Sequence, residues 1–157
     1  METLAPASTC RHTRIRFTTK RPTEFIDLTD RLQALIAGTA VRFGFLNVQT
    51  LHTTTAIVVN EHEPLLLDDF TNLLENAAPA GLSYRHDDAT ARTVNVAADE
   101  RINGHAHCRA LLLPPSACLN VIDGCLQLGR WQRVFLVELD GPREREISVL
   151  IVGEGWR

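Results

Sequence analysis

The sequence predicts a single-domain α+β fold: a mixed, largely antiparallel β-sheet packed with two or three helices. Three observations predict it. The chain of 157 residues fits one compact domain and shows no internal repeat or second-domain boundary. Its apolar content of 45% with 22% charged residues is ordinary for a globular protein that buries a core without disulfides. Helical and alternating apolar patterns are interspersed, and hairpin signals dominate the C-terminal half, which disfavours a doubly wound parallel sheet.

Residues 1–13 are polar and read as an irregular tail, leaving 14–157 as the domain. Arg14–Thr18 alternates and reads as a strand. Phe25, Leu28, Leu32, Leu35 and Ile36 recur at helical spacing, so a helix is expected over 24–37, ended by Gly38. Val41–Leu51 and Thr53–Asn60 are rich in strand formers. Glu63-Pro64 fits a helix start, because proline at the first position lacks only an N–H that is unpaired there anyway. The apolar stripe of that helix is read as Leu66, Phe70, Leu73 and Leu74, which turns Asp69 inward or along its edge. Residues 76–98 form a long loop, and a helix follows near 99–113 with Ile102, Ala106, Ala110 and Leu113 buried. The rest reads as strands at Leu119–Ile122, Val134–Leu139 and Glu146–Val152, with turns at Asp123-Gly124 and Asp140-Gly141-Pro142.

A net charge of -3 gives no bulk attraction to nucleic acid or to an anionic membrane. No apolar run approaches the roughly 20 residues needed to cross a bilayer. The first residues lack a basic region followed by an apolar segment, so no signal peptide is expected and the cytoplasm is the expected compartment. The four cysteines, Cys10, Cys108, Cys118 and Cys125, include no Cys-x-x-Cys pair and read as reduced, mostly buried thiols. No Walker loop, GxGxxG, GxSxG or HExxH pattern occurs.

Candidate chemistry centres on three histidines: His52 beside a threonine run, His86 in Tyr84-Arg85-His86-Asp87, and His107 in Asn103-Gly104-His105-Ala106-His107. Neutral imidazole is the commonest metal ligand, and three leave a position open for water or substrate. The spacings of 34 and 21 residues form no local metal motif, so three separately hydrogen-bonded histidines is the competing reading. Asn103 and His107, four apart on one helix, can lean into one cleft. Glu61 is a candidate base, metal ligand or hydrogen-bond partner orienting a ligand, although strict alternation sets it on the opposite sheet face from His52. Gly141-Pro142-Arg143-Glu144-Arg145 is the phosphate candidate, since a guanidinium fork can hold two phosphate oxygens. Gln132 could bond a substrate amide or a backbone group.

Taken in order, His52-Thr53-Thr54-Thr55-Ala56 with Asn60-Glu61, Asp69, Tyr84-x-His86-Asp87, Asn103-x-x-Ala106-His107-x-Arg109-Ala110, Leu126-x-Leu128-Gly129-x-Trp131-Gln132 and Asp140-Gly141-Pro142-Arg143-x-Arg145 closely resemble the YjbQ-like family, also called the secondary thiamine-phosphate synthase family. The likeness runs from about residue 14 to 152. The resemblance implies a homotrimeric α+β protein with metal or anion binding at clustered histidines near subunit interfaces, and a weak thiamine-phosphate synthase activity. Carried over by position, His52, His86 and His107 are the expected metal ligands. Glu61, Asp69 and Asn103 are the expected catalytic neighbours, and Gln132, Arg143 and Arg145 the expected substrate-binding residues. The expected cofactor is a divalent metal, zinc being the commonest for such ligands, with magnesium possible for a diphosphate substrate. The expected partner is a small phosphorylated molecule. A metabolite-binding protein without turnover and a metal-dependent phosphate hydrolase are the alternatives. Two departures stand out: Arg130 where the family usually has a small hydroxyl residue, expected to narrow the pocket or add anion affinity, and Leu113-Pro114-Pro115-Ser116 where it usually has a glycine-containing turn.

Overall fold

In the computed structural model, which describes residues 7–155, the elements run β1 (Ala7–Thr18), β2 (Glu24–Asp27), α1 (Thr29–Ala37), β3 (Phe43–Thr50), β4 (Thr55–Glu61), α2 (Pro64–Ala77), a 3-10 turn (Arg85–Asp87), α3 (Gly104–Leu111), β5 (Ser116–Ile122), β6 (Cys125–Leu126), β7 (Gln132–Glu138) and β8 (Glu144–Gly155). This is a single-domain α+β fold. The strands make two sheets, ordered β1-β8-β3-β5-β6 and β2-β7-β4, and every strand pair among the described residues is antiparallel.

Alternation explains the layering. On β8, Arg145, Ile147, Val149 and Ile151 are buried while the residues between them face outward. β7 is buried along most of its length, because both its faces are covered. Val134 and Leu136 join a core between the two sheets, with Leu46, Val48, Ile147 and Val149. Phe135, Val137 and Leu139 join a second core with Ala56, Leu74 and Ala106, beneath α2 and α3. The three-stranded sheet is thus the middle layer, and Leu28, just before α1, packs with Leu32 and Ile36 of α1 into the inter-sheet core.

Several sequence expectations change. The supposed tail is half of a long strand: β1 begins at Ala7 rather than Arg14 and pairs with β8 from Ala7–Gly155 to Thr18–Glu144. Residues 1–6 lie outside the described residues. The helix expected over 24–37 starts only at Thr29, preceded by edge strand β2. The Asp27 carboxylate ends that strand and accepts the Thr29 N–H at 2.9 Å, an aspartate turn into the helix. Asp69 is exposed, not inward. α2 buries Leu74 and packs Leu67 toward the core, so the side two residues on from Leu67 points to water. The last helix is shorter than expected, and Ile102 precedes it at 73% exposure. All four cysteines are free and exposed rather than buried. Cys10 shares the outward parity of His12 on β1, and Cys118 the outward parity of Asn120 on β5. The hairpin signal at Asp123-Gly124 holds: φ is 52° and 78°, as the tight turn into β6 requires. No helix of the described residues is long and apolar enough to cross a membrane.

Candidate functional site

At one end of the sandwich, the β3–β4 turn, the loop before α3, the start of α3 and the β7–β8 turn enclose a cleft of about 970 Å³. Three histidines expected to converge do so there: His52, His86 and His107 all line it, with Asn103, Arg143 and Arg145.

Its floor is an ion pair between the sheets. Parity puts Glu138 of β7 and Arg145 of β8 on the same inter-sheet face, with side chains 0% and 4% exposed. Arg145 donates from Nε and Nη2 to the two Glu138 oxygens, each at 2.6 Å, and from Nη2 to Thr54 Oγ1 at 2.9 Å. Glu138 also accepts the N–H groups of Leu139 and Asp140 and the Thr19 hydroxyl. Burial pushes the Glu138 carboxyl up, but Arg145 and these donors outweigh it and hold it below the ordinary glutamate range. Arg145 is therefore largely committed to structure. Sequence reasoning passed over Glu138, although a lone acid inside Val134–Leu139 signals a paired charge.

Arg143 differs. One nitrogen, Nη1, donates to Asp140 Oδ2 at 2.6 Å, and its side chain is 40% exposed at the cleft wall. Asp140 Oδ2 also accepts Asn103 Nδ2 at 3.0 Å, while Asn103 Oδ1 is buried without a partner. Arg101 braces the same turn, donating to the carbonyls of Asp140 and Pro142 at 3.1 Å each.

His86 and His107 stand edge to face with ring centroids 4.5 Å apart. Asp87 fixes this arrangement. Its Oδ1 accepts the N–H groups of Asn103 and Gly104 at 3.0 and 2.8 Å, so the residue after His86 caps the helix that carries His107. Gly104 is needed there, since an added Cβ would strike Tyr84. His86 Nε2 is buried without a hydrogen bond, 3.8 Å from Glu100 Oε1. Glu100 is itself held by Arg92 at 2.6 Å. Burial, then the neighbouring His86, lowers the His107 pKa from its ordinary value.

His52 lies beyond the end of β3, where a turn held by Thr50 and Thr55 leads into β4. Its Nε2 accepts the Glu146 main-chain N–H at 2.8 Å. Burial and then Arg145 lower its pKa as well.

A three-histidine metal centre does not fit this arrangement. The His52 Nε2 lone pair is already used, and among the described residues no group of three His, Cys, Asp or Glu side chains is placed to hold an ion. Of the three, His86 and His107 make no side-chain hydrogen bond among the described residues, and His86 Nε2 is buried without a partner.

Three expected site residues stand elsewhere in the protomer. Glu61 ends β4, roughly 20 Å from Thr55 at about 3.3 Å per residue, and Gln132 pairs with it across β7. Gln132 Oε1 accepts the Gly129 N–H, and Asp69 is on the outer face of α2. Arg130 stacks over the exposed Trp131 ring at 4.5 Å and does not line the cleft of the protomer. The carbonyls of Pro114 and Pro115 accept from Ile57 and Thr50, which ties the unusual turn after α3 to β3 and β4. His12 and His62 are exposed, bonded to Ser148 and Asp27.

A family model described as UPF0047 protein YjbQ-like matches residues 13–154. A UPF0047 protein of Methanothermobacter thermautotrophicus is 40% identical over 136 residues, 87% of each chain. UPF0047 protein YugU of Bacillus subtilis is 29% identical over 139 residues, covering 87% of this chain and 94% of the other. Among solved structures, a YbjQ-like protein of unknown function from Sulfolobus solfataricus superimposes with a TM-score of 0.83 at 32% identity, covering 94% of this chain and 99% of that one. These descriptions name a family, not a reaction.

Proposed function

We propose, because this chain belongs to the UPF0047 YjbQ-like family, that its cleft binds a small phosphorylated substrate of the cytoplasm and supports a thiamine-phosphate synthase-like transfer. The observation that carries the reading is Arg143: a guanidinium at the wall of a histidine-lined cleft, tied through one nitrogen and otherwise open. In the transfer, the thiazole-phosphate ring nitrogen bonds to the methylene carbon of hydroxymethylpyrimidine diphosphate. The carbon–oxygen bond breaks, and pyrophosphate leaves with the electron pair. Negative charge grows on the leaving oxygen, so a fixed guanidinium and neutral N–H donors favour the transition state over the ground state. Arg145 supports this indirectly, by holding the floor beneath Arg143. Magnesium would accompany the diphosphate, and zinc would find its protein donors in His86 and His107. The homotrimer is part of the same proposal, and sedimentation should give three times the protomer mass.

Binding without turnover is a second reading. It is favoured by Glu61 and Asp69 lying away from the cleft, which leaves the expected acid–base candidates out of reach within the protomer. The test is product formation from both substrates with and without magnesium, alongside pyrophosphate titration. Turnover should fall about 10–150-fold in Arg143→Ala, as expected for losing a hydrogen bond to a charged group of about 1.5–3 kcal/mol. Pyrophosphate binding without turnover would select the second reading. Absence of pyrophosphate binding would overturn both.

A further inference from the structure

The His52–Glu146 bond fixes more than a ring position. β3 pairs with β8 as far as Thr50–Ile147 and then leaves the sheet. The next β8 residue toward the β7–β8 turn is Glu146, whose N–H is left without a strand partner on that side. The His52 ring replaces the departed strand, taking this N–H on Nε2 at 2.8 Å. A backbone N–H can only donate, so Nε2 must carry the lone pair. A neutral imidazole has one lone pair and one N–H, so the proton sits on Nδ1. Protonating Nε2 would set two hydrogens against each other, which excludes the imidazolium while the bond stands. His52 Nδ1 makes no hydrogen bond within the described residues and is not among the buried unpaired atoms, so it is accessible to solvent in a residue lining the cleft.

From this geometry we infer that His52 is an uncharged Nδ1–H donor to a phosphate oxygen in the cleft, held in that tautomer by the Glu146 amide, and not a metal ligand. A metal at Nδ1 would need that proton gone and a proton on Nε2, where the Glu146 N–H already points. The Arg143 guanidinium supplies the charge, and burial together with the nearby Arg145 and Arg143 keeps the ring neutral. The ligand half of the inference rests on the phosphate reading above; the tautomer half does not.

Long-range proton–nitrogen correlation on histidine-labelled full chain at pH 7.5 tests both halves. His52 is assigned by its contact with the Glu146 amide proton, which needs no variant. The expected pattern is a protonated Nδ1 and a bare Nε2, with pyrophosphate moving the Nδ1–H resonance. Zinc alone should perturb His86 and His107 and leave His52 in the same pattern. His52→Ala should weaken pyrophosphate binding about tenfold. His52→Asn, whose amide N–H reaches near the Nδ1 position, should recover most of that loss, and His52→Gln should not. An Nε2–H tautomer, a doubly protonated ring or zinc bound to His52 would overturn the inference while leaving phosphate binding intact. The Nδ1–H pattern without any pyrophosphate binding would instead sink the phosphate reading, and the donor role with it.

Discussion

Replacing Glu138 by glutamine would strand Arg145 as a buried guanidinium without its counter-charge. Removing one partner of a buried ion pair costs about 3–5 kcal/mol, and this pair joins the two sheets. Glu138→Gln should therefore lower the unfolding free energy by that much, seen as a lower urea midpoint at an unchanged slope, whereas Glu144→Gln at the exposed rim should stay within about 0.5 kcal/mol. A shift below about 1 kcal/mol for Glu138→Gln would show that the pair is dispensable. The cleft histidines set a pH window. His52 and His107 both titrate below their ordinary 6.5 in the folded chain. Below that value the unfolded chain takes up protons that the folded chain refuses, so stability is full above pH 6.5 and declines as pH falls. The melting temperature should drop from pH 7.5 to 5.5, and the double variant His52→Gln, His107→Gln should flatten the slope; a wild-type melting temperature that rises on acidification would contradict it. At this scale the sequence displays the histidines and Arg143 because each sits beside glycine, proline or polar residues in a short motif. Asp69 and Gln132 stand outside the cleft of the protomer, since a motif marks a residue as special without saying which surface it serves. Arg145 lines the cleft, and its parity with Ile147, Val149 and Ile151 marks it as buried.

The loop before α3 and α3 itself behave as one element, because the cap of the helix comes from the loop. Asp87 satisfies two of the orphan N–H groups at the helix start, and its neighbour His86 meets His107 one turn into the helix. Asp87→Ala should cost about 1 kcal/mol, within the usual range of about 0.5–2 for an N-cap. Hydrogen exchange should locate the loss in the α3 amides, and Asp87→Asn, which keeps an oxygen acceptor, should restore most of the protection. Unchanged exchange in Asp87→Ala would mean that the loop does not hold the helix. Elements with a strong period and clear ends were legible: β3, β4, β8 and α2, whose Glu63 side chain takes the Leu65 and Leu66 N–H groups ahead of Pro64. The Glu24–Asp27 strand was not, because its apolar residues happen to continue the helical spacing of Leu28, Leu32 and Ile36. Phe25 belongs to the core under α2, while those three belong to the inter-sheet core. One period thus ran through two environments, and the turn at Asp27 was the only local mark between them.

The edge of the five-stranded sheet beside β8 depends on a segment that reads as dispensable. Residues 7–13 are polar and short of apolar alternation, since the outward residues Cys10 and His12 alternate with Thr9, Arg11 and Thr13, which bring little apolar surface to the core. What holds them is the main-chain ladder to β8, from Ala7–Gly155 through Thr13–Val149, together with Arg11 donating to the Gly38 carbonyl at 2.9 Å. Backbone pairing of this kind leaves almost no trace in composition, which is why the fold class was readable and this boundary was not. Removing residues 1–13 would expose the C-terminal half of β8 as a long, unpaired edge. Its residues Val149, Leu150, Ile151 and Val152 are the apolar, β-prone type that templates association between chains. The truncated chain should melt at a lower temperature and elute as aggregates that grow with concentration, while removal of residues 1–6 alone leaves the ladder whole. Because the paired stretch lies at the opposite end of β8 from Arg145, any protein that stays folded after the longer deletion should still bind pyrophosphate. A truncated chain that is fully monodisperse and melts like the full one would show that β8 needs no partner there, and that β1 protects nothing.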